Sequence, residues 1–385
     1  MSKRILAAAL AVTVIACARP AIAPPLTLSF PTDTVTSRLV ADGVIYRHIR
    51  SPKGPWAIEV LDVDLSRGYC AVAVKGATGA VGRKKTSVML TELAATRNVV
   101  GGVNADFFSL AGFLGVPSGA LVSRSKVIVG PGPQPVVAVD SNGTIHLGPM
   151  RGASVIRIDD MVKDVPSWNR PGGEGIAIYD SNWGAQLDTA TGSVEVVLDG
   201  QTPSTVIRID TTVAGAEIPP RGYVLVANRN ALASNRTLLR SLKPGDRVGV
   251  HLAIAPFHPV EAIGGRPMLA RDSIILNVVE TEGQESFRAR NPRTAVGLAN
   301  NGRRLLLVVI DGRQPNYSLG TTLRETAEIM LALGARDAIN LDGGGSSALV
   351  YRDSAKTMRI ANKPSDAGGE RAVGDALAIV SGCTR

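Results

Sequence analysis

The chain predicts an α+β domain (mixed α/β) with a mixed sheet, a β-rich middle insertion and a C-terminal β-α-β crossover. Three observations carry that expectation. Short alternating or apolar runs separated by Pro, Gly and Asp fill the stretch from "GVIYRHIR" at residue 43 through "YCAVAVKGA". Residues 125–255 show only turn and strand signals, and near the C-terminus two strand-like runs flank one well-punctuated amphipathic segment.

Residues 1–35 stand outside that fold, which occupies 36–385. Lys3 and Arg4 precede "ILAAALAVTVIACA", too short to span a bilayer and well formed as a signal-peptide core. "VIAC", ending at Cys17, has the aliphatic-x-small-Cys order of a bacterial lipoprotein cleavage site, with cleavage after Ala23 as the competing possibility. Both predict export to the periplasm or cell envelope, with membrane contact only through lipid at Cys17. The remaining cysteines, Cys70 and Cys383, would tie the extreme C-terminus to an early strand if they paired, but the sequence does not show that they meet.

Composition excludes some partners. A chain of 385 residues with 45% hydrophobic content can bury a sizeable core, while 4% aromatics leave few rings to stack on bases. The net charge of +9 comes from scattered Lys and Arg. It predicts no nucleic-acid partner; it fits a surface that speeds encounter with anionic substrates, or equally a basic surface without an anionic partner. Oligomeric state is not legible.

The elements follow in order. "TSVMLTELAATR" places Val88, Leu90, Leu93 and Ala94 at helical spacing and leads into "NVVGGVNADFF", a buried-strand pattern ending in polar and aromatic residues. "PVVAVDSNGTIHLG" carries an Asn-Gly hairpin signal at Asn142; "YVLVANR" and "DRVGVHLAI" read as strands. "RRLLLVVIDGR" is a strand closing at Asp311, and "DAINLDGGG" one closing at Asp342. Between them, Thr322 and Glu325 have capping-box spacing, Leu323, Ala327, Met330 and Leu331 share a face, and Gly334 supplies the stop. Strand, helix and strand joined by short loops imply parallel strands, so Asp311 and Asp342 reach the same carboxyl edge, where open α/β sheets bind ligands.

That edge collects the candidate chemistry. In "INLDGGGSSALV", with Asn340 and Asp342 at a strand end, Gly343, Gly344 and Gly345 remove every Cβ that would hold a ligand off the backbone, and Ser346 and Ser347 add hydroxyl donors. A flexible hairpin loop is the plainer alternative. "VNADFF" repeats the pattern with Asn104 and Asp106. Arg293 opens a strand in "NPRTAVGLA", where a guanidinium fork could grip a phosphate, and Arg313 and Thr322 lie on the way into a helix N-terminus. The four histidines lack metal-helix spacing, and no Walker loop, nucleophile-elbow Ser or zinc-type Cys pair is present. No cofactor is required; a hard, oxygen-liganded divalent cation held by Asp106, Asp311 or Asp342 stays compatible with the sequence, and whether a metal is bound is unknown at this stage.

"VNADFF", "AIGGRPMLARD", "PRTAVGL", "VVIDGRQPNYSLGTTLRETAEIMLALGA" and "AINLDGGGSSALV", in that order over about residues 90–380, resemble the phosphodiester glycosidase family. The resemblance implies a mixed α/β catalytic domain and hydrolysis of a sugar-1-phosphodiester at the glycosidic carbon. Where many relatives have an "NGGFF"-like stretch, this chain has "NADFF", which adds the carboxylate of Asp106. On this reading Asp342 is the principal carboxylate, Asp311 and Asp106 are further catalytic acids, and Asn104, Arg266, Arg293, Arg313 and the 343–347 loop hold the sugar and phosphate. The substrate class implied is a phosphoglycan of the envelope. Two other functions fit the same residues: a non-catalytic, envelope glycan-binding lipoprotein, and a metal-assisted phosphodiesterase that cuts P–O bonds.

Overall fold

In the computed structural model of the chain, which describes residues 26–187, 189–211 and 215–383, alternation along the strands decides the layering. Of the strands Trp56–Asp64 and Arg304–Ile310, Leu61, Val63, Leu305, Leu307 and Val309 enter one hydrophobic cluster; Ile58, Val60, Leu306, Val308 and Ile310 enter another. Side chains with a period of two have two destinations, so a sheet apolar on both faces is an inner layer. Its eight strands run in the order Thr34–Ala41, Val44–Ser51, Trp56–Asp64, Arg304–Ile310, Arg293–Ala299, Ala335–Asn340, Met268–Arg271, Ile274–Ile275, every pairing antiparallel.

The helix Leu323–Ala332 covers one face through Leu323, Ala327 and Met330. A five-stranded sheet packs on the other, in the order Met358–Ile360, Leu349–Arg352, Val99–Asn104, Asp375–Ser381, Tyr69–Lys75; its Val103, Leu349, Leu377 and Ile379 complete the first cluster. The helix Thr86–Ala94 closes the outer face of that sheet with Met89 and Leu90. The layers are thus helix, sheet, sheet, helix. Residues 151–255 form a further eight-stranded sheet with its own core, backed by the helix Ala233–Ser241. The Asn-Gly hairpin joins Pro135–Val139 to Ile145–Pro149, with Gly143 at φ +79° and the Asp140 carboxylate accepting from the amides of Asn142 and Thr144.

Three expectations need correction. The chain is sheet-dominated and not an even α/β mixture, because antiparallel neighbours need only hairpins and few helical crossovers. The helix Ala233–Ser241 falls in a stretch read as turns and strands; its Leu238, Leu239 and Leu242 stripe was the overlooked signal. Finally, Arg304–Ile310 and Ala335–Asn340 do run parallel but are not neighbours, since Arg293–Ala299 lies between them and pairs antiparallel with both. Cys70 and Cys383 form a disulfide with Cα atoms 6.3 Å apart. Cys17 and the signal segment lie outside the described residues, among which no helix is long and apolar enough to cross a membrane.

Candidate active site

Topology brings five segments to one rim. Arg304–Ile310 and Ala335–Asn340 both end there, delivering Asp311 and Asp342, and the intervening strand begins there with Arg293 opposite Ile310. The second sheet contributes Val99–Asn104, followed by Asp106, and the start of Asp375–Ser381. The sheets are tied across the gap: the Asp342 amide donates to the Ala105 carbonyl at 2.9 Å, and Asn104 Nδ2 donates to the Asp342 carbonyl at 2.7 Å.

Three carboxyls sit at this junction in unequal surroundings. Asp106 and Asp375 are 1% and 0% exposed. The Asp106 amide donates to Asp375 Oδ1 at 2.9 Å, and the Gly119 amide donates to Asp106 Oδ2, leaving Asp106 Oδ1 and Asp375 Oδ2 without partners. A Cβ on Gly264 would stand 2.4 Å from Asp106 Oδ2, so glycine there makes room for the acid. Burial pushes Asp106 up to about 7, with the charge of Asp342 adding and the Gly119 and Phe107 amides opposing. Burial, then the charges of Asp106 and Asp342, raise Asp375 well above the carboxylate range. Asp342 is partly exposed, and its Oδ1 accepts the Gly343 amide at 2.9 Å. Burial lifts it to about 6, against hydrogen bonds from Ser346 and Gly343 and the charges of Arg371 and Arg266. Asp342 therefore loses its proton before Asp106.

The three glycines have separate physical reasons. A Cβ on Gly343 would meet the Pro292 carbonyl oxygen at 2.6 Å; Gly344 has φ +63° and lies beneath the Arg313 guanidinium; a Cβ on Gly345 would fall 2.0 Å from Asp366 Oδ1 and 2.3 Å from Arg371 Nη2. The space that glycine leaves is filled by the Pro292 carbonyl, the Arg313 guanidinium and the paired Asp366 and Arg371 side chains. The loop's amides are turned onto the protein itself: Gly343 donates to the Asp342 carboxylate, Gly344 to the Pro292 carbonyl, Ser346 to Gly343 and Ser347 to Gly344.

Two guanidinium groups, Arg371 and Arg266, act on Asp342, and a third, Arg313, lies over Gly344. Arg313, exposed and at φ +59°, is aimed by Asn291 Oδ1, which accepts from Nε and Nη2 at 3.2 and 2.9 Å. Arg371 grips Asp366 through Nε and Nη2 at 2.8 and 3.0 Å and reaches Ser346 with Nη1 at 3.4 Å. Arg266 lies against the rings of Phe107 and Phe287, 5.1 and 5.7 Å from their centroids, and donates to Glu282 at 3.2 Å.

Other predicted ligands reach the rim but are committed to the protein. Arg293 is 2% exposed, donating to the carbonyls of Thr321 (3.1 Å), Phe287 (2.6 Å) and Ala289 (2.8 Å); burial and the charge of Arg313 lower it to about 10. Asn104 accepts from Thr294 and the Ala348 amide, and Asn340 donates to the Arg266 and Leu341 carbonyls. Thr322 caps the helix in a capping box with Glu325. Asp311 is saturated by Asn362 Nδ2 at 3.0 Å, the Lys363 amide at 2.9 Å and the Tyr317 hydroxyl; burial raises it to about 6. Ser347 Oγ is buried without a partner. Sequence reasoning missed Asp375, Arg371 and Arg170. Asp375 at the edge of "ALAIV" has the same acid-at-strand-end signal as Asp342; Arg170, which donates to the Ser118 and Gly119 carbonyls from the inserted sheet, has none. Among the described residues no group of three or more His, Cys, Asp or Glu side chains is gathered as a metal site.

A family model described as phosphodiester glycosidase matches residues 188–380. Among solved structures, a hypothetical protein from Synechocystis superposes with a TM-score of 0.75 at 20% identity, over 94% of this chain and 64% of its own length. The chain thus spans less than two thirds of that protein. A candidate exported protein of Burkholderia pseudomallei gives a TM-score of 0.70 at 28% identity, over 86% of this chain and 75% of its own. The catalytic domain of zebrafish N-acetylglucosamine-1-phosphodiester alpha-N-acetylglucosaminidase gives 0.42 at 16% identity, over 91% and 82%. No curated protein matches.

Proposed function

The chain belongs to the phosphodiester glycosidase family, and from that premise we propose that it hydrolyses the glycosidic C–O bond of a sugar-1-phosphodiester, releasing free sugar and leaving the phosphate on the other partner. The observation that carries this reading is the unequal treatment of the acids: one partly exposed carboxylate set to ionise near pH 6, backed by two enclosed acids with higher proton affinity, with Arg371 and Arg266 acting on it and Arg313 over the neighbouring Gly344.

A phosphodiester anion is repelled by every ionised carboxylate, so holding protons on the two enclosed acids beside Asp342 lowers the negative charge that the anion meets. Asp342 takes a proton from water as the water oxygen bonds to the anomeric carbon. The bond from that carbon to the bridging oxygen breaks, and its electron pair leaves with the phosphate monoester. That leaving group is already a stable anion, so the demand falls on positive charge held ready around it. Asp106, Asp375 and Asp311 act as positioning groups, the first two through their effect on Asp342. We place the reaction in the bacterial envelope on a phosphoglycan; the Cys70–Cys383 disulfide and the likeness to a candidate exported protein support that location.

Asp342→Asn is expected to reduce turnover of a sugar-1-phosphodiester by at least about 100-fold, and near-normal kinetics would remove Asp342 from the role. In oxygen-18 water, label is expected in the sugar; label in the phosphate means P–O cleavage and overturns the reaction assigned.

A further inference from the structure

A second cationic site lies one strand away from the carboxyls. A cavity of about 450 Å³ opens between the edge strand Tyr69–Lys75 and the hairpin of Leu121–Ser123 with Lys126–Val129. Its lining includes Lys75, Arg97, Arg124 and Lys126, with Glu261 as the single acid; the Lys75 ammonium donates to the Thr78 carbonyl, and the Ser123 hydroxyl donates to the Ala73 carbonyl at 3.1 Å. Among the described residues none of the four cations forms a salt bridge. Glu261 is 8% exposed, and its carboxylate is occupied by the amides of Ala73 at 3.0 Å and Arg124 at 3.2 Å. The walls therefore carry more positive charge than the protein itself neutralises. Burial, with Lys126 beside it, holds Lys75 below the usual lysine range, a repulsion that an anion would relieve. The hairpin turn that carries Arg124 is held at φ +52° and +61° for Arg124 and Ser125, so the cation stands on a defined backbone.

Register relates this cavity to the rim. Lys75 pairs directly with Asp375, so the two sites sit on adjacent strands of one sheet. We propose that the cavity is a phosphate-binding subsite, which takes a neighbouring phosphate of the same phosphosaccharide whose anomeric linkage lies at Asp342. The occupant as substrate rests on the function proposed above; the site as an oxyanion receptor does not. Four cations and a volume larger than one phosphate fit an anionic saccharide unit better than a lone ion.

Titration calorimetry on the full chain carrying Asp342→Asn, which holds substrate uncleaved, tests this with a phosphorylated oligosaccharide, its neutral counterpart and inorganic phosphate. Adding Arg124→Ala and Lys126→Ala, both exposed positions, is expected to weaken the phosphorylated oligosaccharide by about tenfold or more and to flatten the salt dependence. In the otherwise unaltered chain the same pair should leave kcat on a small sugar-1-phosphodiester unchanged. Inorganic phosphate binding as strongly as the saccharide, and lost in the same variant, supports the site with free phosphate as occupant. Equal affinity with and without the two substitutions, or neutral saccharide binding as tightly as phosphorylated, overturns it. Binding lost in the variant while the unaltered chain hydrolyses no diester would sink the catalytic reading and leave the subsite standing.

Discussion

Replacing Gly345 with alanine separates the charge of the rim from its fold. The new methyl would lie 2.0 Å from Asp366 Oδ1 and 2.3 Å from Arg371 Nη2, where real contacts are not below 3.0 Å, so the Asp366–Arg371 fork must retreat by about 1 Å. Those atoms are the ends of flexible side chains, and Gly345 is not held at positive φ, so the fold can yield cheaply. Stability is then expected to fall by no more than about 1 kcal/mol, a melting shift of roughly 2–4 °C. The reaction has less latitude, since a misplacement of about 1 Å in a positioning group can lower the rate on the order of 100-fold. Sugar release from a sugar-1-phosphodiester, measured beside calorimetric melting, should show kcat/KM falling by that factor with the transition nearly in place. Full activity would refute the assignment of Arg371 to the working site. A collapsed transition would refute the claim that the glycine serves the arginine and not the backbone.

The buried acids make a pH prediction. Because Asp106 and Asp375 have folded values above their ordinary 3.8, the folded state holds protons that the unfolded chain releases, so stability should fall as pH rises from about 4 through about 7. Asp375→Asn, which keeps the oxygen that accepts from the Asp106 amide, should raise the melting temperature at pH 8 by about 3–6 °C and leave it unchanged at pH 4; an equal effect at both values would refute the buried-charge account. The two arginines of the rim should part company. Arg313→Ala is expected to raise KM several-fold with little change in melting, whereas Arg293→Ala, which strands three carbonyls, should cost about 3 kcal/mol in denaturant unfolding; the reverse pattern would exchange their roles.

What was legible in the sequence is what depends on neighbours along the chain. The capping box at Thr322 and Glu325, the Asn-Gly hairpin and the parallel direction of the strands ending at Asp311 and Asp342 follow from local spacing, and all are present. Local spacing also placed Asp342 and Arg313 at one rim. It could not foresee the antiparallel strand that came between the two crossover strands, nor that Gly343, Gly344 and Gly345 face a carbonyl and two guanidinium groups.

The division has one cause. A residue's type, and the element it begins or ends, are properties of a few consecutive positions, so the sequence alone determined that Asp311, Asp342 and Arg293 would stand at strand ends on the carboxyl edge, while Asp375, Arg371 and Arg170 escaped it. Which acid stays charged depends on burial and on partners distant along the chain. Asp106 meets Gly119, Gly264 and Asp375, and Arg293 spends its donors on Phe287, Ala289 and Thr321. Desolvation and hydrogen bonding are set by those encounters, so only the tertiary structure could leave Asp342 partly exposed while burying Asp106 and Asp375 beside it.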